Sequence, residues 1–108
     1  MDAMLPIIDT HQHLWDMGKF RLAWTDTAPT LAHNFLTADY LSATSGLNVV
    51  KAIYMEVDVD ASQQVAEAEM IIDLCQREDN PTVAAVISGR PADADGFRAY
   101  IGRFQGSP

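Results

Sequence analysis

Three apolar runs of strand length, each followed by a segment of helical character, constrain this chain more than any other feature. The runs are Leu5 to Thr10, Val49 to Val57 ("VVKAIYMEV") and Val83 to Ser88 ("VAAVIS"). Runs that are apolar at nearly every position suit strands covered on both faces, as in parallel sheets. Between the first two, Thr37 is placed to cap a short helix through about Ser45, with Gly46 as its stop. Between the second and third, Asp60 or Ser62 can cap a helix that ends near Asp79, because Pro81 follows. Its apolar stripe reads as Val65, Ala68, Ile72 and Cys75, with Glu67, Asp73 and Gln76 on the other side. After Gly89 and Pro91 a last amphipathic segment sets Phe97, Ile101 and Phe104 in one line. Strand, helix, strand, helix, strand, helix is the order of an α/β fold with a parallel sheet and right-handed crossovers.

Composition bounds the partners. The 108 residues, 48% hydrophobic, suffice for one domain and not for two. Fifteen acidic against seven basic residues give a formal charge of -8, which repels phosphate backbones and anionic lipid headgroups. Neither nucleic acid nor a membrane surface is therefore expected as a partner. Cys75 is the only cysteine, so neither an internal disulfide nor a cysteine-rich metal site can form. No window approaches the roughly 18 apolar residues of a membrane span, and no basic segment leads into a long apolar run. A cytoplasmic location is the corresponding expectation.

The chemistry-bearing stretch is "IIDTHQHLW", Ile7 to Trp15, which holds two of the three histidines. Strand side chains alternate between faces, so Asp9, His11 and His13 are expected to point the same way, at the carboxyl end of the first strand. Parallel α/β folds build their sites at that end. Two neutral imidazoles at i and i+2 can share a divalent cation, and a carboxylate beside them can bind it or orient a ring. The competing reading is that the two histidines merely cap the strand end through carbonyl hydrogen bonds. From Leu14 to Phe35 no period is sustained. A loop of that length is usually functional or disordered, and this one carries Trp15, Phe20 and Trp24, so it is expected to fold over something.

"IDTHQHLW" resembles the first-strand signature of the amidohydrolase superfamily, in its amidohydrolase-related branch. That branch includes sugar-acid lactonases of the fuconolactonase and rhamnonolactonase types and pyrone-dicarboxylate lactonase. "NFLTADYLSA", "VKAIYMEVD" and "AEAEMIIDLC" are similar to its next elements, so the resemblance runs from Leu5 to about Arg90. It implies a (β/α)8 barrel with parallel strands, of which residues 1 to 108 would form an amino-terminal part of about three β/α units. It also implies a hydrolase that opens a lactone or similar cyclic ester of a sugar acid or dicarboxylate. His11 and His13 would be metal ligands or carbonyl-polarising groups, with Asp9 as their orienter. Zinc is the expected divalent ion, although some members work without metal. Further histidines and a general-base aspartate come from late strands in that family. A full barrel needs about 250 residues, so the piece alone is expected to be a poor catalyst. Leu14, Trp15 and Glu56 favour the lactonase branch over non-oxidative decarboxylases of the same superfamily, which stay as the alternative.

Four more residues are candidates for the substrate pocket. The resemblance puts Glu56 there, against the reading of a solvated loop carboxylate. Tyr54, Glu56 and Asp58 are expected to share a face of the second strand. Arg90 could clamp a substrate carboxylate through its planar fork, or form a surface ion pair. Trp15 and Trp24 could wall a pocket or cover the barrel's end. An uncovered three-stranded sheet would also favour self-association through its open edges, so a homo-oligomer, or an inactive self-associating chain, is a further expectation.

Overall fold

The first strand, β1 (Ile7–Gln12), pairs in parallel with β2 (Val49–Met55), and β2 pairs in parallel with β3 (Thr82–Val86). The computed structural model describes residues 4 to 108. The helices are α1 (Thr37–Ala43), α2 (Gln64–Gln76) and α3 (Ala94–Gly102). The expected α/β order is therefore present in full. The sheet order β1-β2-β3 follows the sequence. A doubly wound sheet reverses its strand order at a switch point, whereas a barrel does not.

Register assigns the two faces. Asp9 pairs with Ala52 and Gln12 with Tyr54, so three steps along β1 match two along β2. Ala52 and Tyr54 share a face, and hence so do Asp9 and Gln12. This face meets the helices: the Tyr40 hydroxyl of α1 donates to Asp9 Oδ2 at 2.7 Å, and the Tyr54 hydroxyl donates to Glu67 of α2 at 2.6 Å. The opposite face carries Ile8, Ile53, Met55 and Val86, and both Ile8 and Val86 are exposed. The radius of gyration, 15.4 Å, exceeds the roughly 13 Å of a compact domain of this length. Helices thus cover one side of an open sheet and leave the other bare.

The core lies between the helix face of the sheet and the long loop after β1. It joins Leu14, Trp15, Phe20 and Leu22 of that loop to Tyr54, Val57, Val59 and Ile71. Two 3-10 turns, Ala23–Thr27 and Pro29–Leu31, shape the loop, and an antiparallel bridge between Trp15 and Phe35 closes it. The expectation that its aromatics fold over something holds.

Several local expectations are corrected. Strand β2 stops at Met55, two residues before Val57, and β3 is shifted one residue earlier at its start. Thr37 is the first residue of α1, not its cap. The Asp39 carboxylate reaches back to accept the Leu36 N–H at 2.8 Å, satisfying one of the helix's free donors. Asp60 does cap, but it caps a 3-10 turn (Ala61–Gln63) that leads into α2. The stripe that α2 buries is Glu67, Ala68 and Ile71, while Ile72 and Val65 are only half-buried. Three consecutive apolar residues, Met70 to Ile72, permit either helix phase, and the phase chosen buries a carboxylate. In α3, Ile101 is exposed; Phe97 lies over Gly89, and Tyr100 meets Phe104 edge to face at 5.2 Å. Among the described residues no helix is long and apolar enough to cross a membrane.

Candidate functional site at the carboxyl end of β1 and β2

His11 and His13 meet on the bare side of the sheet. Their Nε2 atoms are 3.0 Å apart and their rings lie edge to face at 4.7 Å. His13 Nδ1 is 2.9 Å from the Met55 carbonyl oxygen. A carbonyl only accepts, so Nδ1 carries the proton and the Nε2 lone pair of His13 faces His11. His11 Nε2–H then donates to it. Two tetrahedral ligands at ordinary zinc–nitrogen distances have their nitrogens about 3.3 Å apart. The pair therefore fits two positions of one divalent cation after a shift of a few tenths of an ångström. For that, His11 moves its proton to Nδ1. Among the described residues no group of three His, Cys, Asp or Glu side chains converges to hold a metal ion.

Asp9 does not stand beside the rings. The extra residue in β1 breaks alternation between Asp9 and Gln12, and turns the carboxylate to the helix side. There Oδ1 accepts the His11 backbone N–H at 3.1 Å and Oδ2 accepts from Tyr40. Burial, together with this bond, pushes the Tyr40 hydroxyl up to about 12. The expected same-face triad is thus corrected to a pair of imidazoles, and the group orienting His13 is the Met55 carbonyl. Asp9 fixes the backbone of the bulge from which His11 projects.

Beside His13 a cavity of about 440 Å³ is lined by His13, Trp15, Trp24, Leu31, Glu56, Val57 and Asp58. Four of the sequence candidates, His13, Trp15, Trp24 and Glu56, are thereby brought together. Trp15 and Trp24 meet edge to face at 5.5 Å, and the Trp24 indole N–H donates to the Val57 carbonyl at 2.8 Å. Glu56 reaches the cavity because the chain has left the strand. Its Oε2 accepts the Asp58 N–H at 2.7 Å, closing a tight corner in which Asp58 adopts a left-handed φ of 53°. The expected common face of Tyr54, Glu56 and Asp58 is corrected accordingly: Tyr54 is fully buried on the helix side, and the other two line the cavity. Arg90 does not line it. Its guanidinium lies 3.4 Å from Asp58 Oδ1 as an exposed ion pair at the rim.

Sequence reasoning missed Glu67. It is 2% exposed, and one oxygen, Oε2, accepts both the Tyr54 hydroxyl (2.6 Å) and the Val57 N–H (3.0 Å). Burial pushes its carboxyl upward against the lowering effect of those two bonds, and the Tyr54 hydroxyl is raised by burial and by the Glu67 charge. The spacing permits this, since Glu67 is four residues before Ile71, but it does not favour that helix phase over the one through Ile72. A second groove, of about 380 Å³, runs between α1 and α2 past Thr37, Ile71 and Arg77, and shares only Trp15 with the first.

No family model matches the chain, and no curated protein matches it. Among solved structures the chain is similar to amidohydrolase 2 from Bifidobacterium longum subsp. infantis, with 27% identity and a TM-score of 0.66. The match covers 81% of this chain and 34% of that one, so the chain spans about a third of the length of the protein it resembles. Its open sheet of three parallel strands matches part of an amidohydrolase barrel.

Proposed function

We propose that this chain supplies the first ligands and one pocket wall of a metal-assisted hydrolase site that opens a lactone or similar cyclic ester. The observation that carries the reading is the His11–His13 pair, with Nε2 atoms 3.0 Å apart, beside a cavity walled by two tryptophans and two carboxylates. The likeness to part of an amidohydrolase 2 chain supports it. A divalent cation, zinc by ligand type, would supply Lewis-acid polarisation of the ester carbonyl.

The chain's own residues contribute the rest of what it can offer. His11 and His13 present imidazole nitrogens, and the Met55 carbonyl keeps His13 in the tautomer that leaves Nε2 free. Trp15 and Trp24 give the ring of a substrate an apolar wall and exclude water from it. The carboxylates of Glu56 and Asp58 accept hydrogen bonds from ring hydroxyls. Arg90, already paired with Asp58, could reach a substrate carboxylate only by exchanging partners. Further ligands and the base that activates water would come from outside the described residues.

Zinc titration tests the reading: the chain should bind one zinc ion, and His11→Ala or His13→Ala should each abolish that binding. Unchanged affinity in both variants would refute it. Comparing acid release from a lactone panel with carbon dioxide release from carboxylated rings separates hydrolysis from decarboxylation in any active form. A second reading, self-association without catalysis, is favoured by the exposed Ile8 and Val86 on the bare sheet face.

A further inference from the structure

Between Met55 and Asp58 the chain turns one corner that holds His13 and Trp24 and carries Glu56 and Asp58. At its start the Met55 carbonyl holds His13 Nδ1 at 2.9 Å. At Val57 the carbonyl holds the Trp24 indole N–H at 2.8 Å. Between and after these, Glu56 and Asp58 line the cavity. The Glu56 N–H still donates to the Val86 carbonyl of β3 at 3.0 Å, but past it Asp58 holds a left-handed φ, so the β-ladder fixes the corner only as far as Glu56. At Val57 the side chain is buried in the core, and the backbone is tied to helix α2 by the Val57 N–H bond to Glu67 Oε2, at 3.0 Å. Glu67 is itself anchored by the fully buried Tyr54.

We propose that Glu67 is a positioning residue, which sets the orientation of His13 and the placement of Trp24 by gripping the Val57 amide from helix α2. The proposal rests on the reading of His11 and His13 as a cation-binding pair, and extends it to a residue that touches neither ring. A buried carboxylate costs stability unless its partners repay the lost hydration. Here the partners are one tyrosine and one amide, and the amide belongs to the site's own corner. Both accepted bonds end on a single oxygen, so a glutamine with its carbonyl oxygen in the same place can keep them.

The test uses the 108-residue chain and Glu67→Gln, Glu67→Met, Tyr54→Phe and Ile71→Ala. Zinc ion is the probe, and two-dimensional NMR follows the Trp24 indole N–H, assigned with Trp24→Phe. Glu67→Met should weaken zinc binding roughly 10- to 100-fold, the effect of losing an outer-shell support, and should shift the Trp24 resonance. Glu67→Gln should stay within about threefold of wild type, and Tyr54→Phe, which leaves the Val57 bond, should do the same. Ile71→Ala, a buried neighbour on the same helix, should lose stability with no change in zinc affinity. In the unaltered protein the Val57 amide should exchange with solvent as slowly as the amides of β2, a measurement that does not depend on any variant folding. Wild-type zinc affinity with an unmoved Trp24 resonance in Glu67→Met overturns the proposal. So does an equal loss in Ile71→Ala, or a fast-exchanging Val57 amide. If the wild-type chain binds no zinc, the reading of the histidine pair fails instead, and the Trp24 and Val57 measurements still decide the role of Glu67.

Discussion

Replacing Gln12 and Thr82 together should stabilise the protein, although replacing Thr82 alone should harm it. Gln12 sits between the two histidines in sequence, but its side chain is on the helix face and is 2% exposed. It passes over the small Ala52 of the middle strand, and its Oε1 accepts the Thr82 hydroxyl of β3 at 2.9 Å. Its Nε2 is buried with no partner among the described residues. One such bond contributes about 0.5–1.5 kcal/mol net, whereas a buried unsatisfied group costs about 1–3 kcal/mol. The orphan amide therefore outweighs the bond by about 0.5–1.5 kcal/mol. Thr82→Val keeps the shape and leaves both ends of the amide unpaired, so it should cost about 1–3 kcal/mol. Gln12→Met removes the orphan and strands only a hydroxyl, so it should fall within about 1 kcal/mol of wild type. With both changes every polar atom in the contact is gone, and a net gain of about 0.5–1.5 kcal/mol is expected. Urea denaturation followed by circular dichroism reads these differences; with a slope of about 2 kcal/mol per molar, the double variant's midpoint should rise by roughly 0.3–0.8 M. Zinc affinity should not change, because the imidazoles project from the opposite face. A double variant no more stable than wild type would refute the accounting.

The remaining expectations concern single contacts. Spectrophotometric titration should find one tyrosine, Tyr40, ionising near pH 12 rather than near 10, and Asp9→Asn should bring it down. The sign follows from linkage: the folded state keeps that proton longer than the unfolded chain, so its contribution to stability is full below about pH 10 and is lost as pH rises toward 12. Gly89→Ala should destabilise by about 1–3 kcal/mol, because its Cβ would stand 2.7 Å from Phe97 Cε2; thermal melts that match wild type would contradict the packing of α3 on that loop. Sedimentation should show assemblies larger than a monomer, and Val86→Lys on the bare sheet face should shift them toward monomer.

How far the sequence could be read depended on what each inference assumed. Strand and helix order needed only hydrophobic period and punctuation, and Gly46, Pro81 and Pro91 marked the breaks without tertiary help. The histidine pair was legible because i and i+2 are neighbours on any strand, whatever its partner. Asp9 failed the same rule because the rule presumes an unbroken ladder: the extra residue between Asp9 and Gln12 appears only when β1 is laid against β2. Glu67 was hidden for another reason. Met70, Ile71 and Ile72 satisfy two helix phases equally well, and the preference for charge outside selects the wrong one. What reverses that preference is a long-range partnership with Tyr54 and the Val57 amide, contacts that exist only once α2 lies across the end of β2. Asp9 and Glu67, both misplaced by local rules, carry carboxylates that accept backbone N–H groups: that of His11 itself, and that of Val57, two residues after the carbonyl that orients His13. A local pattern can therefore find the groups that would meet a substrate, but the groups that hold those in place become visible only with the fold.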